Sequence, residues 1–249
     1  MTIRNDEGIT GVTFDSHGNQ LLGVLYLARG QTPKPTVLLL HGCPGLEKNL
    51  DIAIALRDSG WNCLIFHYRG CWGSAGRYDL RTIPQDVRAA TDHLQEAGYP
   101  GVDPDRLAVA GHSLGGWAAV QAAAADQRLR AVVSISAPAE LRFASGDSGE
   151  LHREFTRFLA VTPAELRQQA EASTWLRPAD AVGAIAPRPL LGVHGTADEW
   201  IPPSAGRLLL EQAGQPSRFV EIDGANHAFA WHRTALRDLV TGWLTETGI

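Results

Sequence analysis

A chain of 249 residues with 44% hydrophobic and 20% charged residues can bury one substantial core, and its net charge of −5 leaves no basic footprint for nucleic acid. The opening MTIRNDEGITG lacks the apolar centre of a secretory signal, and no apolar run approaches the roughly 18 residues of a membrane span. Cys43, Cys63 and Cys71 form no even disulfide framework and fall at no zinc-ligand spacing, so reduced thiols in a cytoplasmic protein are expected.

Along the chain, Ile9–Asp15 and Gln20–Ala28 alternate enough to predict an antiparallel hairpin turning at Ser16 to Asn19. Thr36–Leu40 follows as a short continuous apolar run, the pattern of a strand buried on both faces of a parallel sheet. Similar runs recur at Cys63–Tyr68, Leu107–Ala110, Ala131–Ile135, Pro189–His194 and Arg218–Ile222. Amphipathic stretches of helical length lie between them, at Leu50–Ser59, Pro84–Ala97, Leu114–Ala125, Ser204–Ala213 and His232–Thr245. That alternation predicts an α/β chain, a mostly parallel central sheet flanked by helices. Residues 138–186 break the rhythm and read as a small helical cap insertion within a single domain spanning 1–249. Thr162-Pro163-Ala164-Glu165 inside it has the spacing of a capping box, with Thr162 at the N-cap.

In such sheets ligands bind beyond the carboxyl ends of the strands, and the chemically capable residues sit there. Leu107–Ala110 runs into Gly111-His112-Ser113-Leu114-Gly115, a G-x-S-x-G between strand and helix. A serine at so sharp a turn needs small neighbours, and glycines stand at both positions two residues away. Ser113 is the candidate nucleophile, and it needs a base. His227 follows the apolar run ending at Ile222 through a loop, Asp223-Gly224-Ala225-Asn226, and is the candidate. His112 adjoins the serine and must point elsewhere, while His41 and His194 precede glycines at strand ends and are read as loop braces. Asp198, just past the run at Pro189–His194, is the candidate partner of the base, with Glu199 and Asp223 as rivals. An oxyanion needs two donors: the N–H of Leu114, and one from the loop His41-Gly42-Cys43-Pro44-Gly45. Pro44 has no N–H, which leaves Cys43 ahead of Gly45 and Leu46; the Cys43 thiol itself could confer sensitivity to thiol reagents.

The loop from His67 to Ser74 faces the same edge, with Arg69 as a brace through a carboxylate and Trp72 either lining a pocket or packing beneath the loop. Phe143, Leu151, Phe155, Phe158 and Trp175 of the insertion are candidate pocket residues or the insertion's own core. No histidine pair has metal-ligand spacing, so no metal is expected.

Through His41-Gly-Cys-Pro-Gly45, Tyr68-Arg-Gly70, Gly111-His-Ser-Leu-Gly115, Gly195-Thr-Ala-Asp198 and Gly224-Ala-Asn-His227, the chain resembles the α/β-hydrolase superfamily over nearly its whole length. It is most similar to compact bacterial esterases related to dienelactone hydrolases and to acylaminoacyl and prolyl peptidases. The resemblance implies the α/β-hydrolase fold, the chain order Ser, Asp, His, and acyl transfer through a serine ester without a cofactor. Dienelactone hydrolases carry a cysteine where Ser113 stands, and haloalkane dehalogenases an aspartate, so dehalogenation is not expected. The related peptidases usually add a large propeller domain, so long peptides are not expected substrates. The expectation is a carboxylesterase for small-molecule esters, with an amidase, short-peptide hydrolase or thioesterase on the same residues as the alternative. A binding module without catalysis is the third reading, and the oligomeric state is left open.

Overall fold

In the computed structural model the described residues are 8–139, 154, 156–172 and 177–249. Eight strands form one sheet in the order β1-β2-β4-β3-β5-β6-β7-β8. They are β1 (Gly8–Ser16), β2 (Asn19–Leu27), β3 (Lys34–Leu40), β4 (Asn62–Phe66), β5 (Val102–His112), β6 (Leu129–Ile135), β7 (Leu190–Gly195) and β8 (Ser217–Ile222). The hairpin β1–β2 is antiparallel and joins β4 antiparallel, while every pair from β4 to β8 is parallel. Burial follows position. β1 at the edge alternates between covered and solvated faces, whereas β3 near the centre is buried from its second residue onward.

Helices α1 (Leu50–Asp58), α2 (Ile83–Glu96), α3 (Leu114–Ala125), α4 (Pro163–Ala172), α5 (Pro178–Ala181), α6 (Pro203–Glu211) and α7 (Arg233–Glu246) cover both faces. On one side α2 and α3 pack Ile83, Val87, Leu94, Trp117 and Val120 against Leu38, Leu40 and Val109 of the sheet. On the other, Ile52 and Leu56 of α1 and Leu236, Val240 and Leu244 of α7 pack against Val37, Leu39, Val133 and Val193. Such a chain is an α/β-hydrolase fold, as expected. β4 stops at Phe66, so His67 and Tyr68 belong to the following loop, and β5 begins five residues earlier than its apolar run.

Between β6 and β7 the described residues hold α4, α5 and the 3-10 turn Val182–Ile185. The capping box is formed: Glu165 N–H donates to Thr162 Oγ1 at 3.2 Å, and Thr162 N–H donates to Glu165 Oε2 at 2.8 Å. β4 runs to one side of β3 and β5 to the other, so the crevice at the ends of β3 and β5 is the sheet's topological switch point. No described helix is long and apolar enough to cross a membrane.

Candidate active site

The chain leaves β5 and enters α3 through Ser113, whose backbone stands at φ 57°, ψ −122°. A non-glycine residue there stores strain of order 1–3 kcal/mol, tolerable because its surroundings fix it: Ser113 N–H donates to Ile135 O at 2.8 Å. The flanking glycines are required by space. A Cβ on Gly111 would lie 2.1 Å from Gly115 O, and one on Gly115 would lie 2.3 Å from Leu40 O. The elbow therefore presses directly on the end of β3.

The loop after β3 lies against the serine, since a Cβ on Gly42 would meet Ser113 Cβ at 3.0 Å and Oγ at 3.5 Å. His41 Nδ1–H donates to Gly42 O at 2.7 Å, and Tyr68 Oη–H donates to His41 O at 3.0 Å. Burial holds the His41 pKa down at about 3, so this ring is a neutral brace. Among the described residues the N–H groups of Cys43 and Leu114 donate to no protein acceptor. Burial pushes the Cys43 thiol up to about 12, against a hydrogen bond with Tyr78 that lowers it, so the thiol stays protonated at neutral pH. The expected sensitivity to thiol reagents does not follow from so desolvated a sulfur.

His227 reaches this rim from the loop after β8. Its Nδ1 lies 2.9 and 3.0 Å from the two carboxylate oxygens of Asp198. The Asp198 side chain is wholly buried, which by itself raises its pKa, but bonds from His194, His227 and the Ile201 N–H outweigh this and hold the carboxyl far below the usual range. The rivals serve elsewhere. Glu199 accepts the backbone N–H of His227 at 3.1 Å, and Asp223 accepts the Thr196 hydroxyl at 3.1 Å. His194 Nε2 lies 2.9 Å from Ile201 O and 3.3 Å from Asp198, a second imidazole on the same carboxylate that sequence reasoning saw as a loop brace alone.

His112 ties the elbow to the histidine loop, its Nε2–H donating to His227 O at 2.8 Å and its ring 4.8 Å from the His227 ring. Burial, then the His227 charge, lowers its pKa to about 3. Among the described residues neither Ser113 Oγ nor His227 Nε2 has a hydrogen bond, so the expected serine–histidine bond is open in this arrangement.

Arg69 finds the expected carboxylate. Asp86, fully buried on α2, accepts Arg69 Nε at 2.6 Å, Arg69 N–H at 2.9 Å and Ser16 Oγ at 2.7 Å. Trp72 packs between the loop after β3 and Phe158, donating Nε1–H to Pro44 O at 2.6 Å and stacking on the Phe158 ring. Phe143, Leu151, Phe155 and Trp175 lie outside the described residues. Trp200, half-exposed, stacks on the His227 ring at 6.0 Å, a neighbour no motif announced. Among the described residues no group of three or more His, Cys, Asp or Glu side chains is arranged to hold a metal ion. A strained hydroxyl, an imidazole on a desolvated carboxylate and unclaimed backbone donors at one rim are the parts from which acyl transfer is built.

The prolyl oligopeptidase family model matches residues 51–246. An uncharacterised protein of Mycobacterium tuberculosis is 29% identical over 222 residues, covering 86% of this chain and 71% of the relative. The solved structure of the DcsB complex with its substrate analogue superposes with a TM-score of 0.83 at 18% identity, covering 96% of this chain and 99% of that one. Est1E from Butyrivibrio proteoclasticus, solved with ferulic acid bound, gives a TM-score of 0.76 at 21% identity over 95% and 98% of the two chains.

Proposed function

The chain belongs to the prolyl oligopeptidase family and is a hydrolase of the α/β-hydrolase superfamily, and from that premise we propose that it cleaves small carboxylic esters through Ser113, His227 and Asp198. The observation that carries this reading is the strained Ser113 elbow latched, through His112, to the loop whose His227 ring is bound by buried Asp198. Asp198 takes the Nδ1–H of His227, which leaves the Nε2 lone pair to receive a proton. Ser113 Oγ closes onto that nitrogen as substrate enters; catalytic hydrogen bonds often tighten at that stage.

Oγ attacks the ester carbonyl and its proton passes to His227 Nε2. The carbonyl oxygen becomes an oxyanion held by the N–H groups of Cys43 and Leu114, each such donor contributing about 3–4 kcal/mol in the transition state. The imidazolium returns the proton to the departing alcohol. Water, deprotonated by the same ring, then attacks the acyl-enzyme, and the imidazolium returns the proton to Ser113 Oγ as the acid departs.

The test is turnover of nitrophenyl acetate and butyrate by Ser113→Ala. The expected result is a folded protein with activity down at least a thousandfold; retention of a tenth of it would contradict the assignment.

A further inference from the structure

Trp72 occupies a position that a bulky residue does not hold without reason. Its backbone stands at φ 51°, in the left-handed region that is strained for a residue with a Cβ. Several contacts fix it there. The indole Nε1–H donates to Pro44 O at 2.6 Å, and the backbone N–H donates to Phe158 O at 3.3 Å. Phe158 lies parallel to the indole, 7° between planes and 4.6 Å between centroids, and the Lys48 ammonium sits 4.3 Å from the ring centroid. Gly45 leaves no slack between them, because a Cβ there would lie 2.7 Å from Nε1 and 2.8 Å from His41 Nδ1.

These bonds bracket one residue. His41 holds the carbonyl of Gly42, and Trp72 holds the carbonyl of Pro44. Each carbonyl fixes the plane of the peptide it belongs to. The Gly42 carbonyl shares its peptide with the Cys43 N–H, and the Pro44 carbonyl stops the loop from rotating on the other side. We propose that Trp72 is a positioning residue for the oxyanion loop, its indole N–H keeping the Cys43 N–H aimed at the developing oxyanion. The inference rests on the esterase reading above. It adds that the geometry of this donor depends on a side chain 29 positions further along, and on its packing against Phe158.

Residues 158–160 extend the dependence. Ala160 N–H donates to Gly70 O at 2.6 Å, Tyr78 N–H donates to Ala160 O at 3.3 Å, and Cys71 pairs with Leu159 in an isolated bridge. The backbone carrying Phe158 is thus tied on both sides of Trp72.

Trp72→Phe keeps an aromatic face for Phe158 and removes the N–H. A displaced oxyanion donor weakens the transition state and leaves ground-state binding alone. The expected result is a kcat about tenfold lower with KM changed less than twofold in a protein that still folds. Affinity for a trifluoromethyl ketone, which forms a tetrahedral oxyanion on the serine, should fall in parallel. A kcat within twofold of the parent, or a raised KM at unchanged kcat, would overturn the role. If Trp72→Phe does not fold, Phe158→Leu decides: it keeps the N–H but loses the stacked face, and a lowered kcat at constant KM supports the role while no change in kcat overturns it. Loss of activity in Ser113→Ala with none in these variants would discard this inference alone, whereas full activity in Ser113→Ala would discard the esterase reading beneath it.

Discussion

At the scale of single residues, the choice among three nearby carboxylates is decided by which partner each one meets. Asp198 meets the ring, Glu199 the backbone N–H and Asp223 the Thr196 hydroxyl. An amide in place of Asp198 keeps the volume but can turn its NH₂ toward Nδ1, stabilising the tautomer in which Nε2 carries the proton and cannot accept one. Asp198→Asn is therefore expected to lower kcat by about a thousandfold or more, and Glu199→Gln by no more than a few fold, measured on one nitrophenyl ester. Equal losses in the two variants would contradict the assignment. All three carboxylates are visible in the sequence as loop residues after strands, and nothing in spacing alone says which of them reaches the ring. His194 shows the same limit: its contact with Asp198 depends on the path of a loop, which hydrophobic periodicity does not encode.

At the scale of elements, what was legible had a one-dimensional signature. β3 could be read because a strand covered on both faces must be apolar at every position, and the elbow because glycine at 111 and 115 is forced by contacts under 2.5 Å. The capping box was readable because its two bonds lie within four residues. The first half of β5, Val102 to Arg106, was not, since its strand form comes from Val102 pairing with Lys34 at a bulged and partly solvated end. Asp86 did leave a trace. It is a carboxylate among Ile83, Val87, Ala90 and Leu94 on the inner face of α2, and a charge on an apolar stripe calls for a buried partner, here Arg69. The clamp of Trp72 on Pro44 left none, because it joins residues 28 positions apart through one side chain.

At the scale of the whole molecule, the site is built from loops after β3, β5, β7 and β8, so its geometry persists only while the sheet does. Burial keeps His41 and His112 neutral, each with a pKa of about 3 against an ordinary 6.5. Between those limits the unfolded chain takes up protons that the folded chain refuses, so stability falls as pH drops below 6.5 and is regained as it rises. Each ring should cost about 2 kcal/mol at pH 5. The depressed Asp198 carboxyl adds nothing to this difference, because its contribution fades only below the ordinary carboxylate range near pH 4. Urea midpoints at pH 7.5 and 5.0 should differ accordingly, and a flat profile would contradict the neutral, buried histidines.

Four loops from distant parts of the chain have one purpose in this account, to make a single hydroxyl nucleophilic. A fluorophosphonate reacts with an activated serine and spares ordinary ones, so mass spectrometry of the labelled, digested protein addresses that purpose directly. The account predicts one phosphonylated peptide, modified at Ser113, with labelling slowed by orders of magnitude in His227→Ala. An adduct on a different residue, or none while ester turnover continues, would contradict it.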